Sequence, residues 1–101
     1  MKDDISNVAI GQRLERFRLA LEIETQAALA AVIGVSTNRY NNWATGVSRL
    51  PVDFAVKLSS ISGVPIAYFF TGDMSGVPMR LITLLEQPVS PSKKRRGRSS
   101  K

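Results

Sequence analysis

Thr37, Asn38, Arg39, Asn41 and Asn42 crowd one short stretch, GVSTNRYNNWATG at 34–46, which also holds the single tryptophan of the chain. Each of these polar types can meet a base edge in a DNA major groove. Asn presents a donor and an acceptor together, as adenine N6 and N7 require; Arg pairs in the same two-point manner with guanine; Thr offers a hydroxyl or a methyl. Asn is otherwise a poor choice for a solvated helix, where Glu, Lys, Gln or Ala cost less helix propensity. Asparagines also gather at helix ends and turns, because their side chains compete for nearby backbone groups. Composition alone leaves both readings open.

Those side chains need a helix to hold them. Ser36 is a good N-cap, and Gly46 ends a helix running from Thr37 to about Thr45. At about 100° per residue, Trp43 and Ala44 fall within roughly 60° of Tyr40 and make an inward face. Asn38 and Asn42 lie roughly 160° to either side of Tyr40, Thr45 joins them, and Asn41 and Arg39 take the flanks. Ahead of this helix Thr25 caps a shorter one, Gln26 to Ile33, with Leu29, Ala30 and Ile33 as its buried face and Gly34 as its stop. Two short helices joined by GVS, too tight a turn for antiparallel packing, form a helix-turn-helix arrangement, with Val35 plugging the space between them.

The remaining elements supply the scaffold. Ile10, Leu14, Phe17 and Leu21 recur at helical spacing from about Asn7 to Leu21, with Arg13, Glu15, Arg16 and Glu22 mostly off that stripe. Pro51 fits the first turn of a fourth helix with Phe54, Ala55, Leu58 and Ile61 as its apolar side, ended by Gly63. Pro65 starts a short fifth helix that ends near Gly72. A further helix is expected over Val77 to Glu86, with Val77, Leu81, Leu84 and Leu85 on one side; that stripe suits either a cap on the bundle or a dimer seam. No strand-type alternation or internal repeat appears, so the class is all-α.

Composition narrows the chemistry. The 101 residues, 44% of them apolar, suit one compact domain with tails. Cysteine and histidine are absent, which removes thiolate nucleophiles, the commonest general base and the usual zinc ligands. The eight acidic residues form no paired-carboxylate motif, and GDMSG is neither a phosphate loop nor a nucleophile elbow. No enzyme, cofactor or metal site is expected. The apolar runs AALAAVIGV and VPIAYFF are far shorter than the roughly 20 residues of a membrane span, and no secretory signal is evident, so a cytoplasmic protein is expected.

The net charge of +6 is concentrated at one end. Six of the fourteen basic residues, Lys93, Lys94, Arg95, Arg96, Arg98 and Lys101, follow position 92, leaving eight basic against eight acidic side chains before it. Basicity therefore says nothing of the folded part. The tail can neutralise several phosphates whatever their sequence, each adding about −0.9 to the salt slope on duplex DNA. A solubilising tail or a nuclear-import patch would have the same composition.

With this layout in view, IGQRLERFR, TQAALAAVIGVS, WATG and LSSISGVPIAYFFTGD resemble, in order and spacing, the Cro and phage-repressor (XRE) family of helix-turn-helix proteins, over about Ile10 to Asp73. The resemblance implies a five-helix lambda-repressor-like bundle that binds operator DNA as a homodimer on a two-fold symmetric site. It also implies base reading by Thr37, Asn38 and Asn42, flanked by Arg39 and Asn41. Gln26 would lie by a phosphate and brace the third helix, and Thr45, Ser48 and Arg49 would meet the DNA backbone. The chain departs from the family in a longer LEIET loop without its glycine, in Trp43 where a smaller aliphatic residue is usual, and in Ala44 where Glu is frequent.

The expected organisation is a flexible N-terminus at 1–6, the DNA-binding domain at 7–73, an extra helix at 74–87 for capping or dimerisation, and a disordered basic tail at 88–101. The expected function is a sequence-specific transcriptional regulator acting as a repressor of bacterial or phage origin. The rival is an antitoxin-like or other protein-interaction module, whose residues 74–101 bind a protein partner.

Overall fold

The computed structural model describes residues 5–86, and six helices make up its regular structure: α1 (Asn7–Ala20), α2 (Gln26–Ile33), α3 (Thr37–Ala44), α4 (Val52–Ser62), α5 (Ile66–Thr71) and α6 (Met79–Glu86). The expected basic tail lies outside the described residues. Among the described residues there is no strand, and no helix is long and apolar enough to cross a membrane.

Local chemistry sets the helix starts. The hydroxyls of Ser6, Thr25 and Ser36 accept the backbone N–H three residues on, from Ala9, Ala28 and Arg39, each at 3.0–3.1 Å. Each satisfies an amide that the helix itself leaves unpaired. Between α2 and α3, Gly34 takes φ 82°, and the Val35 N–H then reaches back to the Ala30 carbonyl at 3.0 Å. A residue without Cβ makes that reversal at no steric cost, so the chain turns within three residues.

α1 is the central strut, packing against α3, α5 and α6, while α2 meets α3 and α4, and α4 meets α5. Ile10, Leu14 and Phe17 of α1 are fully buried, with the Phe17 ring edge-on to Phe69 at 5.0 Å. α1 and α3 approach closely at Gly11, where a Cβ would overlap the carbonyl oxygens of Trp43 and Ala44. That glycine lets the end of the third helix seat directly on the first. α6 belongs to the same core through Leu81 and Leu85, and it packs on α1.

Several details differ from the reading of periodicity. Ile61 is 51% exposed, and Ser62 takes the inward place, its hydroxyl donating to the Leu58 carbonyl and accepting from the Val64 N–H. A polar side chain is useful there because the chain is leaving the helix and a buried amide needs an acceptor. Leu84 is 42% exposed, whereas Ile82 packs on the core beside Leu81 and Leu85. α6 begins at Met79, after Pro78, so Val77 is buried from a turn rather than from the helix. Pro51 caps α4 from outside rather than forming its first turn.

Arg13 and Arg18 are also buried, against the expectation for Arg13. The Arg13 guanidinium donates to the Phe69 carbonyl at 3.3 Å. A long side chain can cover apolar surface with its stem and still satisfy its head on backbone oxygen.

Candidate nucleic-acid interface

The third helix stands on two aromatic side chains. Tyr40 is fully buried and Trp43 nearly so, with the indole 5.2 Å from the Phe54 ring of α4. The bulky indole packs against the tilted Phe54 ring of α4, while Gly11 of α1 makes room for the α3 backbone at Trp43 and Ala44. Ala44 packs alongside, half-buried, and Val35 fills in below the turn.

Tyr40 needs a partner for its hydroxyl, and α1 supplies it. The hydroxyl donates to the Glu15 carboxylate at 2.8 Å, and Arg18 makes a two-point ion pair with the same carboxylate at 2.9 and 3.3 Å. The third Arg18 nitrogen, Nη1, donates to the carbonyls of Ile23 and Glu24, both at 2.8 Å. One carboxylate therefore ties the third helix, the first helix and, through Arg18, the loop before the second helix. Burial above all, and then the adjacent Glu15 charge, push the Tyr40 phenol well above its ordinary range. It stays protonated and able to donate.

The outer side of α3 contrasts with this. Thr37 and Asn38 are exposed and Asn42 is half-buried, and their side chains make no hydrogen bond among the described residues. Asn41 is engaged: its amide nitrogen donates to the Gln26 oxygen at 3.0 Å. That leaves the Gln26 nitrogen as a free donor at the start of α2. Arg39 folds sideways, its guanidinium carbon 5.4 Å from the Trp43 ring centre and 5.1 Å from that of Phe54. Thr45 donates to the Asn41 carbonyl, the Ser48 N–H to the Asn42 carbonyl, and Arg49 to the Ile5 carbonyl at 3.1 Å.

The structure thus brings Thr37, Asn38, Asn41 and Asn42 onto one exposed helix with Gln26 beside it, and sets Arg39 to the α4 side. Lys93, Lys94, Arg95, Arg96 and Arg98 lie outside the described residues. Reading the sequence did not single out Glu15, Arg18 and Gly11 as supports of the third helix. A buried tyrosine signals the need for a hydroxyl partner, but nothing local names a carboxylate 25 residues earlier.

Among the described residues no cluster of metal-ligating side chains exists. An open groove of about 570 Å³ runs beside Ile5, Leu50, Pro51 and Phe70, on the loop that leads out of α3. Its lining is mostly apolar apart from Arg49 and Thr71.

No curated protein and no solved structure matches the chain significantly. A family model described as helix-turn-helix matches residues 18–69, from the end of α1 into α5. The match spans both helices of the motif, its turn and the exposed face of α3, and the all-helical bundle agrees with it; the chain belongs to the Cro/C1-type helix-turn-helix family of DNA-binding regulators.

Proposed function

We propose that this protein is a sequence-specific transcriptional repressor that lays α3 in the major groove of a two-fold symmetric operator. The observation that carries this is the row Thr37, Asn38 and Asn42, whose side chains have no hydrogen-bond partner among the described residues, on a helix held from its other sides. Free carboxamides and a hydroxyl on a rigid platform can match adenine and thymine edges without first breaking internal bonds. Asn41 acts through Gln26, holding that side chain so that its free nitrogen meets a phosphate. Thr45, Ser48 and Arg49 lie on the loop that would track the DNA backbone, and the basic tail adds affinity without reading bases.

Symmetry follows from the small reach of one copy. α3 has eight residues, about 12 Å of helix, and spans only a few base pairs. Such a short site recurs too often among the roughly 10⁶ or more competitors in a genome. A second copy on a half-site one helical turn away supplies the missing selectivity. Occupation of the operator then blocks transcription by exclusion.

Selection of bound duplexes from a random pool tests this. The full chain is compared with a variant in which Lys93, Lys94, Arg95, Arg96 and Arg98 are replaced by Gln. An inverted repeat enriched by both establishes a dimeric base reader with an accessory tail. Loss of all binding in the variant, with no enriched motif for the wild type, would refute base reading by α3. Co-purification of one stoichiometric protein partner in that case would move the reading to the interaction module.

A further inference from the structure

We infer that Arg39 and Lys57, seated over the Phe54 ring, form a phosphate-binding pair at the α4 rim of the DNA face, reading no bases. The inference rests on α3 meeting DNA, and it gives Lys57 a role that neither the helix-turn-helix pattern nor the outward row of α3 assigns.

Both cations lie close to one ring: the Arg39 guanidinium carbon and the Lys57 ammonium nitrogen are each 5.1 Å from its centre. Trp43 adds a second ring under Arg39 at 5.4 Å. Both cationic residues are exposed, and neither is paired with a carboxylate of the described residues; the ion pair there is Glu15–Arg18, and Asp53, next to Phe54 in α4, makes none. Lys57 donates to the Ile33 carbonyl at 3.3 Å, which anchors the ammonium at the end of α2. Two of its three N–H donors remain available.

A guanidinium resting against aromatic rings keeps its edges free, and its planar fork matches the oxygens of a phosphate in a two-point contact. Its conformational freedom has already been restricted by the rings, so less is lost on binding. Two cations held at one ring, neither paired with a carboxylate of the described residues, suit a polyanion rather than a base edge, which offers no net charge. Their position agrees with this, because leaning toward α4 takes Arg39 off the row of Thr37, Asn38 and Asn42. The phosphates that border a groove lie beside a helix inserted into it, where a side chain on α4 can reach.

Salt titrations of the full chain on a short random-sequence duplex test the pair, comparing wild type with Arg39→Gln, Lys57→Gln and the double variant. Each single substitution should make the slope of log Kobs against log salt shallower by about 0.9, and the double by about twice that. Affinity for a duplex enriched by selection should fall by the same factor as for the random one. Phe54→Leu keeps both charges but removes the ring, and should weaken binding about two- to fivefold with a near-wild-type slope. Unchanged slopes in both single variants would overturn the pair, and a loss confined to the enriched duplex would make Arg39 a base reader instead. An enriched motif with unchanged slopes sinks this inference alone; shallower slopes without any enriched motif support it while base reading fails.

Discussion

The two sides of α3 are built to opposite rules. On the inner side the buried Tyr40 hydroxyl is spent on Glu15, and Glu15 is shared with Arg18. On the outer side the side chains of Thr37, Asn38 and Asn42 make no hydrogen bond with the described residues. Buried groups left unpaired would cost stability, whereas exposed ones are solvated and lose little. An eight-residue helix cannot hold itself in water. Its geometry is therefore borrowed from the inner side, and its chemistry is displayed on the outer. Stability and recognition should separate cleanly along one helix, and substitutions can show whether they do.

The largest effect is expected at Trp43. Trp43→Ala removes a nearly buried indole that touches Phe54 and should cost about 3–5 kcal/mol, read as a large fall in the thermal midpoint. Any loss of DNA affinity should track the unfolded fraction. A midpoint that barely moves would mean that the inner side does not carry the helix.

Next come Asn38→Ala and Asn42→Ala on the outer side. Each should cost about 1–3 kcal/mol on the preferred operator, almost nothing on random DNA, and leave thermal melting unchanged. Equal losses on both DNAs would break the assignment of this side to base reading.

Tyr40→Phe sharpens the inner side at about 0.5–1.5 kcal/mol near neutral pH, for one lost hydrogen bond. Its pH signature is more specific. The folded-state phenol titrates above its unfolded value of 10, so its contribution is complete below pH 10 and is lost as the pH rises further. Urea unfolding of the wild type should therefore weaken progressively above pH 10, and more gently in Tyr40→Phe. Tyr68, also raised by burial, leaves a residual slope. Identical alkaline profiles for the two proteins would show that the Tyr40–Glu15 contact does not persist in solution.

The smallest effect belongs to the loop between α1 and α2. Glu22 is the non-glycine residue with positive φ among those described, at 62°. The left-handed region costs an L-residue about 1–2 kcal/mol, partly offset by the greater entropy a glycine loses on folding. Glu22→Gly should therefore stabilise by up to about 1 kcal/mol in denaturant unfolding and leave DNA binding unchanged. Destabilisation would mean that the Glu22 side chain has a role of its own.

The Glu22 position also shows where reading the sequence stops. The LEIET loop is visibly longer than the family pattern and lacks its glycine, yet which residue adopts the left-handed turn is decided by where α1 ends and α2 must begin. Ile61 and Leu84 sit at helical spacing with true core residues and are nonetheless exposed, because periodicity defines a stripe but not how much of it a neighbour covers. Arg39 was legible as a flank of α3; its turn toward Phe54 was not, since that ring comes from another helix.

What the sequence determined by itself is local or periodic. Thr25, Ser36 and Gly34 set the limits of α2 and the start of α3 through single hydrogen bonds and one backbone conformation. The 3.6-residue repeat put Tyr40 and Trp43 inward and the asparagines out. Only the tertiary structure decided which distant groups meet: Glu15 under Tyr40, Gly11 against the end of α3, and Arg39 and Lys57 both at the Phe54 ring. Those pairings depend on how whole helices pack and cross, and their partners lie too far apart in the chain for any residue type or spacing to announce them.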